Sequence, residues 1–524
     1  MFPGIDLGKY LRTLWGFALD LHSSSWKNAW MPQGFSWSEL NVDPARVLAL
    51  NDVPLPPGRR DFVLYWCMVN HRATHNAALD VALALGNHLA LPVLCYHALR
   101  PDYPYASDRI HGFVLEGLGE LAASMEARGV PYWLELPHDK AAHAARFAAL
   151  GRRAAAVVTD LSPAFIIPGH QRGAARVLEV PFFAVDASCV VPMQRIAERQ
   201  LGAYTLRPKL KKLWPGYLRK LPPGVPARHA DQGRKVHLEL PRVKDPDAEL
   251  ASLAAFDIDH GVARVTDRRG GREAALLRLR AFLDHDLPRY ADARNAPSDH
   301  VQSSLSPALH FGTLYAGEVA EAALARYGAN DPNVESFLEE LLVRRELSFN
   351  YCLYTPVKQQ LSVTSLPRWA QETLQNHGKD AHEATYSFEQ LDRGETHDGL
   401  WNAAQRELRE EGCIHNYLRM LWGKKVLEWS PTPEEALGRM ARMNDRYALD
   451  GRDPNSVANF MWVLGLHDRP FAERPVLGKV RPMSSFRTLE KSDLGPYLKR
   501  YGDGTHDAKS LKLQLKTALA KPRA

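Results

Sequence analysis

The pattern of apolar residues changes once along this chain of 524 residues, and that change divides it. Between residues 61 and 185 the apolar runs FVLYWCMV, LPVLCYH, PYWLEL, AAVVTDL and VPFFAVD alternate with helical periodicity near 74–89, 108–128, 139–151 and 169–178. Runs this short, rich in β-branched and aromatic residues, read as buried strands. Strands that alternate with helices imply βαβ units and a parallel sheet, with a ligand crevice at the carboxyl ends of its strands. No GxGxxG follows the first strand, so a dinucleotide fingerprint is not read there. From about 250 to 500 the strand signals almost vanish. Windows such as REAALLRLRAFLDHDL, NVESFLEELLVRRELSFNYCLY and IHNYLRMLWGKKVLEW instead predict an all-helical domain. The expected organisation is an extension over 1–60, an α/β domain over 61–190, a basic, proline-punctuated surface connector over 191–245, a helical domain over 246–503 and a basic, fraying tail over 504–524.

Composition narrows the function classes. Cys67, Cys95, Cys189, Cys352 and Cys413 are odd in number and scattered, without metal-site spacing or a disulfide framework, which fits a reducing cytoplasm. No apolar run reaches the ~18 residues of a membrane span, and KYLRTLWGFALDL is too short and too charged for a secretory signal. The net charge of +6 is compatible with nucleic-acid binding without arguing for it.

Several segments carry candidate chemistry. In SSLSPALHFG, Ser306 followed by Pro307 reads as a helix cap, with Ser303 and Ser304 beside it; the end is a phosphate site or a plain cap. NDRYALDGRDPN packs Asn444, Asp450 and Asp453 around a turn, suited either to a heteroaromatic edge and a ribityl chain or to local capping. Arg419 needs an acid partner if buried, and Asp450 is the expected one. Glu340 and Arg344 are spaced as an i,i+4 pair, and Glu340 in a cavity would instead meet a pyrimidine edge. Trp462 is core by default or a stacking wall for an extruded base. Arg294, Arg474, Lys479 and Arg481 are basic and lie in or near loops. Trp422 and Trp429 stand seven residues apart, which puts them ~10 Å apart on nearly one helix face. That pair is ordinary core or an electron relay, joined by Trp401 from an earlier helix.

In order and spacing, SLSPALHFG, FLEELLVRREL, THDGLWNA, the RM-x-W-x-KK-x-LEW run, NDRYALDGRDPN and HDRPFAERPVLGKVR resemble the photolyase/cryptochrome family, specifically its class II cyclobutane pyrimidine dimer photolyases, over about residues 42–485. The resemblance implies a Rossmann-like α/β antenna domain, a helical domain binding FAD, and a carbon–carbon lyase. In such enzymes photoexcited reduced flavin sends an electron to a dimer flipped out of double-stranded DNA. Carried onto this sequence, it gives Tyr290, Ser303, Ser304, Leu305, Ser306 and Asp453 to the cofactor, with Asn444 facing the flavin and Arg419 and Asp450 paired beside it. Trp422, Trp401 and Trp429 become the proximal, middle and surface members of a photoreduction chain. Glu340, Met420 and Trp462 contact the flipped dimer, Arg481 enters the gap it leaves, and Arg294 touches the DNA backbone. The expected state is a cytoplasmic monomer with a deazaflavin antenna, a folate antenna or none. A cryptochrome-like photoreceptor is the alternative, since VLGLHD after Trp462 and PMSSFRTLEKSD after Arg481 depart from the family's pattern.

Overall fold

Five short apolar runs form the parallel core of one six-stranded sheet. The computed structural model describes residues 42–520 apart from 59, 138, 219–223, 241–249, 505 and 506; Trp15, Trp26, Trp30 and Trp37 of the expected extension lie outside the described residues. The strands are β1 (Val47–Ala49), β2 (Phe62–Cys67), β3 (Val93–Ala98), β4 (Tyr132–Glu135), β5 (Ala154–Asp160) and β6 (Phe182–Val185). Their order is β1-β6-β5-β2-β3-β4. All neighbours run parallel except β1, which pairs antiparallel with β6. Every residue of β2 and β5 is buried, as a sheet covered by helices on both faces requires. The crossovers are α1 (Ala77–His88), α2 (Asp108–Leu115), α3 (Leu118–Ala127), α4 (Lys140–Arg153) and α5 (Ile167–Val177).

Four expectations change. RVLALN, assigned to an extension, supplies the edge strand β1. The single helix expected over 108–128 is two, α2 and α3. The break falls at Glu116 and Gly117, where the helical domain's chain crosses: a Cβ on Gly117 would lie 2.6 Å from Gly271 Cα, and Glu116 accepts from the Gly270 amide at 2.7 Å. The connector does more than cross the surface, because its helix α6 (Ala203–Tyr217) buries Leu206 and Leu210 in a cluster with Val343 and Leu347. The expected fraying tail contains a helix, Ala508–Ala520, whose Leu511 and Leu515 are buried in the large helical core; their i,i+4 spacing is the apolar stripe that the tail's basic composition hid.

The helical remainder includes α7 (Ser306–His310), α8 (Pro332–Leu338), a π-helical turn (Glu339–Arg344), α9 (Arg345–Leu353), α10 (Gly399–Glu411), α11 (Asn416–Glu428), α12 (Pro433–Tyr447) and α13 (Pro454–Val463). Among the described residues no helix is long and apolar enough to cross a membrane.

Buried arginines that donate to backbone carbonyls sew this domain to the sheet. Arg72 in the loop after β2 donates to Gly312 O at 2.8 Å and also bonds Ala187 O. Arg109 in α2 donates to Tyr447 O at 2.8 Å and Arg409 O at 2.7 Å. Arg345 in α9 reaches back to Ser188 O at 2.9 Å. A guanidinium carries five donors in a rigid fork, so one side chain satisfies several carbonyls that an interface would otherwise strand. Arg109→Met removes these donors without emptying the space. It is expected to cost about 2–4 kcal/mol of unfolding free energy, read as a fall in denaturant midpoint, whereas Arg234→Met on the surface should stay within about 0.5 kcal/mol of wild type.

Candidate functional site

The helical domain contains two adjoining polar cavities of about 330 and 570 Å³, described here as the halves of one cleft. Arg294, Glu340, Arg344, Arg419, Ser456 and Asn459 line both, so the halves share a wall.

The smaller half is built on the serine loop before α7. Arg278 donates to Gln302 O at 2.7 Å and Ser303 O at 2.8 Å, which pins the loop from behind. Ser304 sits at φ 55°, a left-handed conformation that costs a serine about 1 kcal/mol or more. Ser303, Ser304 and Ser306 line the cavity, as does Tyr290. Ser306 is not the cap expected from the sequence: Leu305 holds the N-cap position, without a side-chain cap bond, and Ser306 is the first helical residue. Its hydroxyl is thereby free to bond the Asp450 carboxylate. Leu305 itself does not face the cavity; it is 1% exposed in the apolar core, leaving only its backbone available.

Arg419 on α11 and Asp450 in the turn after α12 form the expected ion pair, with N–O distances of 3.1 and 3.3 Å. Burial opposes charge on both. The Arg419 guanidinium and the Ser306 hydroxyl nevertheless hold the Asp450 carboxyl below its ordinary range, and Asp450 in turn holds the Arg419 pKa up. Arg419 Nε is buried without a hydrogen-bond partner. A partnerless buried donor in a cavity wall calls for an acceptor, which a ligand or an ordered water can supply. Asp453 caps α13, accepting from Asn455 N at 2.8 Å, and pairs with His310 at 3.1 Å.

The larger half is lined by Met420, Trp422, Asn444, Trp462 and Arg481. Asn444 is 2% exposed, and its amide nitrogen donates to Asp445 and to Ser456, both at 3.2 Å. Glu340 pairs with Arg294 at 2.6 Å and not with Arg344, which turns to Glu339 at 3.3 Å. The π-helical turn is the reason: i,i+4 neighbours of an α-helix lose their shared edge where the helix widens. Arg481 stands 5.8 Å from the Trp462 ring and is held by both oxygens of Asp468 at 2.9 Å. Lys424 also packs against Trp462, 4.6 Å from the ring centre. Burial lowers its pKa to about 7.

From the cleft wall a row of indoles leads inward. Trp422 and Trp401 stack at 6.3 Å with planes 3° apart, and Trp401 meets Trp429 edge-on at 5.5 Å. Trp422 of α11 and Trp429 at its C-cap are therefore bridged by Trp401 of α10. Trp422 Nε1 donates to Gln405 at 2.8 Å and Trp401 Nε1 to Trp422 O at 3.0 Å. The expected surface position of Trp429 is corrected: it is 2% exposed, capped by Tyr386 and His397.

A further cavity of about 160 Å³ lies between the domains at the carboxyl ends of β2 and β3, where a crevice was expected. Trp66, His71, His97, Tyr103, His170 and Phe311 are among its walls. Burial pushes the His71 and His170 imidazoles down to about 4, so both are neutral at physiological pH.

The arrangement matches known proteins over most of its length. Residues 63–227 match the DNA photolyase family model. The chain is 34% identical over 447 residues to the deoxyribodipyrimidine photo-lyase of Methanothermobacter thermautotrophicus, covering 85% of this chain and 95% of that one. It is 37% identical over 464 residues to the deoxyribodipyrimidine photo-lyase of Oryza sativa subsp. japonica, covering 83% and 86%. The chain belongs to the photolyase/cryptochrome family. The fold of this photolyase-family chain also superposes on the crystal structure of an archaeal photolyase from Sulfolobus tokodaii with a TM-score of 0.62 and 17% identity, covering 87% of this chain and 94% of that one.

The family implies FAD, and the smaller half fits it: serine hydroxyls, the Arg419 and Asp450 pair and an unpartnered Nε line one cavity. Arg278, Gln405 and Asn459 escaped the sequence reading. Asn459 alone carried a signal, standing one turn beyond Asn455. Asp450→Asn strands the buried Arg419 charge, a change that costs about 3–5 kcal/mol. The expected outcome is folded protein of lowered melting temperature that loses FAD on gel filtration; retention equal to wild type would remove the pair from the site.

Proposed function

We propose that this chain is a class II-type deoxyribodipyrimidine photolyase that repairs cyclobutane pyrimidine dimers in double-stranded DNA, acting as a cytoplasmic monomer. The observation that carries the reading is the shared wall of the two cleft halves: Arg419 and Glu340, walls of the polar half that holds the serines and Asp450, are also walls of the half that holds Trp462 and Met420. A cofactor and a flipped pyrimidine dimer would then sit against one another.

Bound FAD supplies light absorption and the transferable electron. The Arg419 and Asp450 pair gives the cofactor edge fixed dipoles, which favour charge arriving there without reorganisation; Asn444, on the wall of the larger half, would meet a cofactor ring only where it extends past Arg419. Trp462 offers a ring face for stacking, worth about 1–3 kcal/mol per base. Glu340 can accept from a pyrimidine edge while Arg294 balances its charge. Arg481 reaches DNA only by leaving Asp468, and a phosphate is a partner able to compensate that loss. Electrons would reach the cofactor from Trp429 by way of Trp401 and then Trp422. The interdomain cavity, with Trp66, Tyr103 and Phe311 among its walls, would take an antenna chromophore through its aromatic rings.

Prereduced, FAD-loaded protein under blue light should remove cyclobutane dimers from a duplex oligonucleotide; no repair would sink the proposal and favour a photoreceptor. Trp422→Phe is expected to block photoreduction of oxidised FAD while repair by prereduced protein largely persists. Equal loss of both would make Trp422 structural only. Trp462→Ala should weaken binding of dimer-containing duplex by about 1–3 kcal/mol and leave binding of undamaged duplex nearly unchanged.

A further inference from the structure

Trp462 stands among three charges. Lys424 Nζ lies 4.6 Å and the Arg481 guanidinium 5.8 Å from its ring centre, and both oxygens of Asp468 accept from Arg481 at 2.9 Å. Gly423 lets α11 pack closely on the end of α13, where a Cβ in its place would lie 2.6 Å from Val463 Cγ2. Lys424 Nζ thereby donates to Val463 O at 2.6 Å, at the helix end whose dipole favours a cation. That carbonyl is its one hydrogen-bond partner among the described residues, although an ammonium has three donors. At 1% exposure, solvent does little to make up the difference.

The two members of the Arg481 and Asp468 pair are unlike. The Arg481 side chain is 42% exposed and the Asp468 side chain 6%. Arg481 can swing out to a phosphate. Asp468 then stays behind in the wall of the larger half, with the Arg469 amide at 2.9 Å as its remaining donor. A carboxylate left in that state is costly without a cation.

We propose that Lys424 is the reserve counter-charge for Asp468: when Arg481 leaves for DNA, the Lys424 ammonium neutralises the carboxylate left behind, so that DNA binding and a proton on Lys424 favour each other. This rests on the reading of Arg481 as a DNA contact. Lys424 is not among the residues that line the cavity, so it is a positioning residue that acts through Asp468.

The electrostatics fix the sign of the coupling. Burial lowers the Lys424 pKa to about 7, while Asp468 pulls it up and Arg481 pushes it down. Departure of Arg481 removes the repulsion and leaves the attraction, which raises the pKa in the complex. A group whose pKa rises on binding contributes affinity that is complete below the free value and is lost as pH climbs through the bound one. Affinity for DNA therefore falls as pH rises above about 7. The neighbouring groups do not supply this dependence. No residue of α13 is charged. On α11, Lys425 turns to Glu428 and Arg419 to Asp450. The arginines of α12 keep their charge throughout; its Asp445 accepts from the Arg452 amide, and Glu407 of α10 accepts from Tyr497. Burial holds the His467 imidazole, beside Asp468, at about 4, neutral across this range.

The test uses the FAD-loaded full chain in the dark and a duplex carrying one cyclobutane dimer. Affinity is followed by fluorescence anisotropy from about pH 6 to about pH 9 at constant ionic strength, and proton uptake by calorimetry in two buffers of unlike ionisation enthalpy. Wild type should lose affinity above about pH 7, by at most about tenfold per pH unit for one linked proton, and should take up protons on binding at about pH 8. Lys424→Met should bind more weakly at low pH, with a flat profile and less proton uptake. Lys424→Arg, charged at every pH used, should keep the low-pH affinity across the range. Asp468→Asn leaves no carboxylate to neutralise and should also flatten the profile, which provides a second readout should Lys424→Met fail to fold. The wild-type profile and proton uptake in either folded variant, Lys424→Met or Asp468→Asn, would overturn the inference and leave the flavin and Arg481 readings standing. Arg481→Ala binding the dimer duplex as tightly as wild type would remove Arg481 from the DNA and overturn the inference with it.

Discussion

The ion pair between Arg419 and Asp450 is the interaction on which the rest of the site depends. Neither charge could be buried alone, and together they fix α11 against the turn that follows α12. That single constraint sets the position of Trp422 one turn along α11, of Asn444 at the end of α12 and of Ser306 on α7. It also leaves Arg419 Nε unspent and buried in the cavity wall. A protein selecting only for stability would do as well with apolar residues there. A charged pair with one donor left over makes sense as a holder for something that arrives with an acceptor.

The same economy of buried guanidinium appears between the domains. Arg72, Arg109 and Arg345 each satisfy carbonyls on the opposite side of the interface. The seam is therefore polar and directional, and it keeps the interdomain cavity at the sheet's carboxyl edge in a fixed relation to the cleft. His310 and Asp453 are walls of both cavities, so one hydrogen-bonded pair separates the two spaces.

Much of this was legible in the residues. The strands over 61–185 appear where the apolar runs put them, because buried parallel strands carry a continuous signal. The helical half was plain from periodicity, and Arg419 with Asp450 followed from the cost of a lone buried charge. What stayed hidden is tertiary. The split between α2 and α3 is made by a backbone crossing at Gly271, far away in sequence. Glu340 finds Arg294 because a π-helical turn moves it off the α-helical edge that its spacing suggests. The family resemblance put Trp429 at the surface, whereas Tyr386 and His397, on either side of the helix Phe388–Arg393, fold over it. The helix over Ala508–Ala520 was masked by lysines surrounding its two buried leucines.

The central claim is that one cleft holds a reduced flavin against a flipped pyrimidine dimer. Emission from the reduced, FAD-loaded protein measures that adjacency directly, because an electron acceptor in contact with the excited ring shortens its lifetime. A saturating duplex containing one cyclobutane dimer should quench the emission strongly, and the undamaged duplex of the same sequence should leave it unchanged. Equal emission with the two duplexes, at concentrations where both are bound, would contradict the account.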